Sequence, residues 1–419
     1  MMNFNPPEHV AFVLHHLTEN GHAAFLVGGC VRDAVMGRHV HDWDVATSAA
    51  PVDVAMLFPK TVLTGEKFGT VTVLTAGDAV EVTTFRVESE YKDSRRPERV
   101  EFVENLDDDL SRRDFTMNAM AISVARRLID PYGGIKDIKK CVIRCVGEPD
   151  TRFSEDALRM FRAFRFSAEL GFVIEEKTLR AIYANSENAK LISAERVRVE
   201  LEKTLLSHRP ETAGEMIKTG LLARYLSKPD NCPDGLEKIE GLPAEPVMRW
   251  CAFCAILLEG RLIDSALEFL HSMQLDGKTV KTCTCALSIP EFPDNRTDIK
   301  RIFSKFGVET TRCAAAVHDI RGDCESRGDR PRSPAIIQGE GSFILHGSTD
   351  EHLPCLARVN EIMASGECFS LSKLAVSGGD LIALGHPPGQ KLGEMLNMLL
   401  CHVLEHPKDN KRDVLLQLV

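Results

Sequence analysis

Two aspartates separated by a single residue, Asp42 and Asp44, carry the clearest indication of chemistry in this sequence. In an extended strand, residues i and i+2 point to the same face, so the two carboxylates are predicted to lie side by side. Like charges this close are unfavourable unless a cation lies between them. Two carboxylates, a hard divalent ion and triphosphate oxygens together form the two-metal arrangement used for phosphoryl or nucleotidyl transfer. We therefore predict that Asp42 and Asp44 bind metal, with Mg²⁺ as the expected cofactor.

A pair of glycines precedes these aspartates, in the segment Gly28-Gly29-Cys30-Val31-Arg32-Asp33. Glycines let backbone N–H groups approach phosphate oxygens, a helix beginning here would direct its N-terminus towards them, and Arg32 adds positive charge. A dinucleotide-binding motif is excluded because its third glycine is missing, and a P-loop because its Gly-Lys-Ser/Thr ending is missing. A D-x-D pair alone is usually a surface feature, so the prediction depends on the order and spacing of both segments.

The elements that must position these residues lie in a mixed α/β region that occupies roughly the first 140 residues. Strands are predicted at the apolar segment Ala24–Val27 and at Asp42–Thr47. A helix is predicted to begin at Pro51, since proline is favoured in the first turn of a helix. The alternating segments Thr70–Thr75 and Val80–Phe85 predict a hairpin. The sequence therefore predicts an N-terminal domain built on a sheet.

After about residue 150, strand signals nearly vanish and helical patterns alternate with breaks marked by proline or glycine. Ser154 is predicted to cap a helix that continues to Leu170, where Gly171 ends it. Four charged residues recur at every third position of this helix and would form a slowly winding stripe. They are Asp156, Arg159, Arg162 and Arg165. The segment Arg112-Arg113-Asp114 is also predicted to be helical.

The composition is that of an ordinary globular protein, with 419 residues, 44% of them hydrophobic, and a net charge of −10. This length suggests two to four domains and excludes disordered and collagen-like chains. The first basic residue is Arg32, so the start of the chain lacks the basic residues of a secretory signal. The longest apolar run, Trp250–Leu258, is far shorter than the roughly 20 residues that span a bilayer. We expect a cytoplasmic protein with no membrane role and no obligate protein partner.

Five blocks of the sequence, in order along the chain, resemble the class II tRNA nucleotidyltransferases, the CCA-adding enzymes of the polymerase-β superfamily. The blocks are Leu26–Asp33 with Asp42-Trp43-Asp44, then Arg112–Ala119, Asp130-Pro131-Tyr132-Gly133-Gly134, Glu155–Arg159 and Glu195–Glu200. The resemblance implies an α+β fold, with a small mixed-sheet nucleotidyltransferase head followed by an elongated all-α neck, body and tail. The implied domains are a catalytic head at 1–140, a base-recognising neck at 141–205, a body at 206–330 and a tRNA-binding tail at 331–419.

The resemblance also implies an activity, which is template-independent addition of C, C and A to the 3′ end of tRNA. CTP and ATP would be the substrates, pyrophosphate would be released, and the helical domains would bind the acceptor and TΨC arms of the tRNA. Asp42 and Asp44 would be the catalytic, metal-binding residues. The implied nucleotide-binding residues are Gly29, Arg32, Arg113, Asp156, Arg159, Arg162 and Arg165.

Individual roles follow from the same resemblance. Arg113 would contact the nucleotide's phosphates, while Asp156 and Arg159 would read its base. The Asp156 carboxylate can accept from the exocyclic amine of cytosine or adenine, and Arg159 can donate to the adjacent ring nitrogen. Guanine and uracil present the opposite pattern and would leave both groups unpaired. Glu81 is a candidate third metal-facing carboxylate, although it could equally be an exposed strand residue.

Several alternatives remain open from the sequence. The charged segment Arg86–Asp109 alone predicts a solvated flexible loop. It resembles the loop implicated in the switch from C to A addition, and its presence favours full CCA addition over a CC-adding or A-adding specialist. A poly(A) polymerase is a further alternative within the superfamily. A non-catalytic tRNA-binding protein that kept the fold is a rival from another class, and the intact Asp42 and Asp44 pair argues against it.

Overall fold

The computed structural model describes residues 5–65, 69–92, 96–231, 233–322 and 353–419. The chain divides into two compact units. The first contains Met1–Thr204 and Glu215–Arg224, and the second contains Leu205–Gly214 and Tyr225–Val419. The four predicted domains stay predictions, and the boundary between body and tail, at residue 331, lies outside the described residues.

The described strands all lie in the first unit. They are β1 Ala24–Val27, β2 Asp44–Thr47, β3 Thr61–Gly65, β4 Thr70–Leu74, β5 Ala79–Thr84, β6 Arg86–Lys92, β7 Arg96–Phe102, β8 Ala121–Ser123, β9 Leu128–Ile129, β10 Val142–Ile143 and β11 Val173–Ile174. Seven of them form one sheet in the order β3-β4-β5-β2-β1-β8-β9. The pair β2 and β5 is parallel and the other neighbours are antiparallel, so the sheet is mixed, as predicted.

Helices surround this sheet and continue through the rest of the first unit. They are α1 Glu8–Glu19, α2 Gly29–Val35, α3 Pro51–Leu57, α4 Leu106–Ser111, α5 Gly134–Lys139, α6 Pro149–Glu155, α7 Leu158–Leu170, α8 Glu176–Asn185 and α9 Ala194–Leu205, followed by α10 Thr212–Lys218. One core cluster joins the sheet to α4 and consists of Val27, Ala46, Phe85, Leu106, Leu110 and Ala121. The predicted strand β1, the helix at Pro51 and the β4–β5 hairpin are confirmed.

The second unit is helical throughout its described residues. Its helices are α11 Pro246–Glu259, α12 Ala266–Ser272, α13 Gly277–Leu287, α14 Arg296–Phe306, α15 Val308–Gly322, α16 Pro354–Ala364, α17 Gly378–Ala383, α18 Gln390–Glu405 and α19 Arg412–Leu415. The buried Arg249 guanidinium donates to backbone carbonyls of Leu205, Ser207 and Leu242, which fixes the segments that flank α11. The Asp319 carboxylate accepts from two backbone N–H groups at the start of α16. The predicted order of a mixed-sheet domain followed by helices is confirmed.

No helix of the described residues is both long enough and apolar enough to cross a membrane. Every cysteine in the described part of the chain is a free thiol.

Two predicted elements near the aspartates are wrong in detail. Strand β2 begins at Asp44, so Asp42 lies before the strand. Because Leu26 pairs with Val45 in antiparallel register, the residue opposite Asp42 would be Gly29, which already belongs to α2. Segment 86–109 forms the β6–β7 hairpin and α4 where it is described, in place of the predicted loop, and residues 93–95 lie outside the described residues.

The predicted helix from Ser154 to Leu170 is divided in two. Asp156, with φ −140° and ψ 102°, is extended and separates α6 from α7. Its carboxylate accepts from the backbone N–H of Leu158 at 3.1 Å, a local bond that competes with helix continuation. Ser154 lies inside α6 and is not a cap. The predicted end at Gly171 is confirmed, since this residue adopts φ +71° after the last turn.

The predicted helix over residues 112–114 is also wrong. Helix α4 ends at Ser111, and Asp114 lies in an irregular segment followed by a single 3₁₀ turn, Thr116–Asn118. The Asp114 carboxylate accepts from the backbone N–H of Phe115 and from the Asn118 amide, and these bonds replace a helical pattern.

Candidate active site

The turn after β1 brings an arginine against the backbone. Gly28 adopts φ +75°, a conformation that favours glycine. A Cβ atom at this position would lie 2.9 Å from Arg113 Nη1 and 3.7 Å from Asp44 Oδ2. The glycine therefore leaves room for a guanidinium beside a carboxylate at the start of α2. Any larger residue would displace Arg113 from this place.

Strand pairing adds another carboxylate to this point. Asp44 and Glu81 are partners in the parallel pair β2–β5, and their side chains lie on the same face of the sheet. Burial raises the pKa of Asp44, Arg113 opposes this shift, and the negative charges of Glu81 and Asp42 raise the pKa further. The charge of Asp42 also acts on Asp44, but only Asp44 and Glu81 belong to strands.

The described carboxylates at this point do not form a complete metal site by themselves. Among the described residues, no three His, Cys, Asp or Glu side chains are close enough to hold a metal ion by themselves. A metal at Asp42 and Asp44 would therefore need oxygens from a substrate, as in the two-metal arrangement. Burial, with the charges of Glu81 and Asp42 added, raises the pKa of Asp44, so its ionised form is disfavoured in the protein alone. A divalent cation would stabilise that ionised form.

Cys30 lies next to the backbone of Asp44. Its Sγ lies 3.1 Å from the carbonyl oxygen of Val27 and 3.9 Å from that of Asp44, so the thiol connects the end of β1 to the start of β2. Burial raises the pKa of this thiol to about 11, which keeps it protonated as a donor. Cys30 stands in the glycine segment, but its residue type alone gave no indication of this role.

Arg113 is held by a buried aspartate that the sequence analysis missed. Asp109 accepts from Arg112 at 2.7 Å and from Arg113 at 3.1 Å. Burial opposes ionisation of Asp109, but Arg113 and Arg112 outweigh it and lower its pKa. Arg113 Nε is buried without a hydrogen-bond partner among the described residues. The spacing of three and four residues between Asp109 and the arginines was the signal that could have identified this pair.

A chain of polar contacts links the glycine segment to α7. Arg32 donates to both oxygens of Asp33 and, through Nη1, to the Asn118 amide oxygen at 2.9 Å. Asn118 donates to Asp114 at 3.1 Å, and Arg162 Nε donates to the other oxygen of Asp114 at 2.7 Å. Burial opposes ionisation of Asp114, but Arg162 and Asn118 lower its pKa to about 2. The structure thus brings together Arg32 and Arg162, which the sequence had placed in separate blocks.

The predicted base-reading residues lie at the break between α6 and α7. Asp156 Oδ2 accepts from Arg196 Nη2 at 2.9 Å. Arg159 Nη1 donates to Glu155 at 2.6 Å, and Arg159 Nη2 donates to the carbonyl oxygen of Arg112 at 2.8 Å. Both residues therefore already have partners within the protein. Because Asp156 is extended, the predicted continuous helical stripe that joins it to Arg159 is wrong.

Arg165, the last predicted nucleotide-binding residue, is mostly buried. Its Nε lies 2.7 Å from Glu200 Oε2 on α9, and its Nη1 lies 3.4 Å from Glu169. Glu200 stands in one of the sequence blocks, but nothing in its spacing indicated this partner. The pair connects α7 to α9 within the first unit.

The chain is similar to known protein families and to individual proteins over most of its length. Residues 24–144 match the family described as Poly A polymerase head domain, and residues 171–230 match the family described as probable RNA and SrmB-binding site of polymerase A. A CCA-adding enzyme of Geobacillus sp. (strain WCH70) is 37% identical over 407 residues, which cover 96% of this chain and 93% of the relative. One from Limosilactobacillus fermentum is 35% identical and covers 97% of this chain and 94% of the relative.

A solved structure is similar over almost the same extent. The crystal structure of the Bacillus stearothermophilus CCA-adding enzyme in complex with CTP superposes with a TM-score of 0.74 at 31% sequence identity. The match covers 96% of this chain and 94% of that chain. Both units of the present chain are therefore included in the similarity.

Proposed function

This chain belongs to the family of CCA-adding enzymes, and on that premise we propose how its residues carry out the reaction. The enzyme adds C, C and A to the 3′ end of tRNA, using CTP and ATP and releasing pyrophosphate. The observation that carries the catalytic assignment is the Asp44 carboxylate, which lies beside Gly28, Arg113 and Glu81 with its charge only partly compensated. We also propose that the enzyme acts in the cytoplasm, where these substrates are found.

The family depends on a divalent metal ion, and we propose that the ion is Mg²⁺, held by Asp42 and Asp44. When bound, the ions would activate the primer 3′-hydroxyl and stabilise charge on the leaving pyrophosphate. The chain's own contribution is the pair of carboxylates, one on β2 and one directly before it. Glu81 raises the negative charge at the same point from the neighbouring strand, which strengthens attraction for a cation.

The triphosphate would bind at the start of α2. Gly29 offers a backbone N–H at this end of the helix, and the absence of a side chain at Gly28 makes room for Arg113 beside it. Arg113 is fixed there by Asp109, and the N–H of its buried Nε has no acceptor among the described residues. Arg32 is fixed by Asp33 and Asn118. Guanidiniums held this way add positive charge without losing further side-chain freedom on binding.

The base would be read at the α6–α7 break by Asp156 and Arg159. The Asp156 carboxylate can accept from an exocyclic amine while it keeps Arg196, because carboxylate oxygens have several acceptor sites. Arg159 would donate to the adjacent ring nitrogen by exchanging its contact with Glu155. Arg162 and Arg165 would complete the positive surface towards the triphosphate or the primer end.

The domain roles are proposed from the same family. Residues 1–140 would be the catalytic head, 141–205 the neck that reads the base, 206–330 the body and 331–419 the tail. The helical domains would bind the acceptor and TΨC arms by shape and phosphate contacts. The match of residues 171–230, in the proposed neck and the start of the body, to a family described as a probable RNA-binding site supports RNA contact by helical residues.

Full CCA addition is tested with three tRNA transcripts that end before CCA, after C and after CC. Each is incubated with CTP and ATP, singly and together, with Mg²⁺, and the products are read at nucleotide resolution. Extension of all three to a single CCA end is the expected result. Growth that stops after CC, or begins only from CC, would identify a specialist, and a long A ladder would identify a poly(A) polymerase.

A further inference from the structure

One aromatic ring lies at the centre of the arginines that the proposed function uses. Phe166 on α7 is 4% exposed. The guanidinium carbons of Arg165, Arg32 and Arg162 lie 4.1, 5.1 and 5.2 Å from its ring centroid. Phe115 meets the same ring edge-on, with centroids 5.9 Å apart and planes at 89°. All three guanidiniums therefore lie within cation–π distance of one ring.

These arginines come from distant parts of the chain. Arg162 and Arg165 stand on α7 beside Phe166, whereas Arg32 stands on α2, where its Nη2 lies 3.7 Å from the Cβ position of Gly29. The ring therefore connects the glycine turn, where the triphosphate would bind, to the helix that follows the base-reading break. Asn118 and Asp114 make a parallel polar connection between the same two elements.

Each of these arginines also has its own carboxylate partner. Asp33 holds Arg32, Asp114 holds Arg162, and Glu200 lies 2.7 Å from Arg165. Each anion neutralises a separate guanidinium, and like charges that approach one another repel. The negative face of an aromatic ring attracts cations most strongly when it is shielded from water. The shared, buried ring thus adds a cation–π attraction for all three guanidiniums to the polar bonds that already hold them.

We propose that Phe166 is a positioning residue, which fixes Arg32, Arg162 and Arg165 for binding of the incoming nucleoside triphosphate. This inference rests on the proposed function, because that function supplies the nucleotide. Phe166 touches none of the reacting atoms; it acts through the quadrupole of its ring on the three guanidiniums. Its effect should therefore appear in nucleotide affinity and leave the chemical step nearly unchanged.

The experiment replaces Phe166 with 4-fluoro-, 3,5-difluoro- and 3,4,5-trifluorophenylalanine in the full-length enzyme. Fluorine withdraws electron density from the ring face and leaves the ring's shape nearly unchanged, so each step weakens only the attraction for cations. Phe161 is the matched control, since it lies on the same helix, is fully buried, and has no guanidinium over its ring among the described residues.

One binding, one kinetic and one stability measurement are made on each protein. The first is the dissociation constant of CTP by equilibrium dialysis with Mg²⁺ and no tRNA. The second is the KM and kcat for CTP on tRNA ending before CCA and for ATP on tRNA ending after CC. The third is the melting temperature. At position 166, we expect the dissociation constant and KM to rise with each fluorine, to about tenfold in total, with kcat within about twofold.

The control series at Phe161 should leave both affinity and melting temperature unchanged. At position 166, the melting temperature should fall with each fluorine, because the same attraction also stabilises the folded enzyme. A flat series at position 166 in an enzyme that still extends tRNA would overturn the positioning role alone. Loss of kcat with unchanged affinity, or equal effects at positions 161 and 166, would also overturn it. If the unmodified enzyme binds CTP but extends none of the three tRNA transcripts, the proposed function fails, and the positioning role fails with it.

Discussion

Asp44, beside the glycine turn, and Asp114, near α7, have pKa values that are shifted in opposite directions. Near the turn, burial together with Glu81 and Asp42 raises the pKa of Asp44 despite the neighbouring Arg113. Near α7, burial is outweighed by Arg162 and Asn118, and the pKa of Asp114 falls to about 2. Within the protein, the ionised form of Asp44 is therefore disfavoured, whereas the ionised form of Asp114 is favoured.

This difference separates binding of a cation from support of the site. An acid whose ionised form is disfavoured lowers folding stability and gains stabilisation when a metal ion binds, which is the role proposed for Asp44. An acid whose ionised form is favoured by fixed arginines needs no ligand, so Asp114 contributes stability and holds Arg162 in place. Substitutions in the two regions should therefore change activity and stability in opposite proportions.

The largest effect is expected at Asp44. The Asp44→Asn variant should lose about a thousandfold or more in extension rate, because it removes a proposed ligand of the metal ions. Its melting temperature should stay equal to or rise above that of the unmodified enzyme, because a repelled charge is removed. Extension is measured with Mg²⁺ on tRNA ending before CCA, and Asp108→Asn, at an exposed position on α4, is the control.

The Asp42→Ala variant tests the alternative that the protein binds tRNA without catalysing its extension. Binding of tRNA should survive while Mg²⁺-dependent extension disappears, as measured by gel shift and primer extension. Extension that remains intact in either variant would show that the metal assignment is wrong.

The second largest effect concerns folding stability and is expected at Asp114. The Asp114→Asn variant should lose about 3 kcal/mol in the free energy of unfolding of the first unit, because Arg162 loses its buried partner. Urea unfolding measures the change, with Asp44→Asn as the matched carboxylate control. If the two variants are equally stable, the contrast between the two regions does not exist.

The pH dependence of stability should follow the same acid. Because the folded pKa of Asp114 is lowered to about 2 from an ordinary value of 3.8, its contribution is present above about pH 4 and is lost as the pH falls towards 2. This loss is about 2 kcal/mol. Unfolding measured across this range should show a steeper acid dependence in the unmodified enzyme than in Asp114→Asn. Identical slopes would contradict the assignment.

The smallest effect is expected in base selection. The Arg159→Ala variant should lose about tenfold in discrimination against UTP and GTP, because it removes the donor for the ring nitrogen. Misincorporation is measured on tRNA ending before CCA. Arg152→Ala is the control, since Arg152 also pairs with Glu155 but has no proposed contact with the base. Unchanged selectivity in Arg159→Ala would rule out the base-reading role.

The sequence predicted the elements whose signals are local. Apolar Ala24–Val27 forms a strand, Pro51 begins a helix, and Gly171 ends α7, because each depends on a few neighbouring residues. The sequence wrongly predicted a continuous helix through Asp156. Side-chain bonds to the backbone decided that position, and propensity alone does not register them. The roles assigned to the nucleotide-binding residues stay predictions.

The sequence by itself determined the family, the sheet-containing start and helical remainder of the chain, and the acidic pair Asp42 and Asp44. Only the tertiary structure decided that Glu81 stands opposite Asp44, and that Arg32 and Phe166 meet across two elements. Local order depends on adjacent residues, whose spacing the sequence states directly. Charge compensation and π contacts depend on strand register and helix packing, which bring together residues that are far apart along the chain.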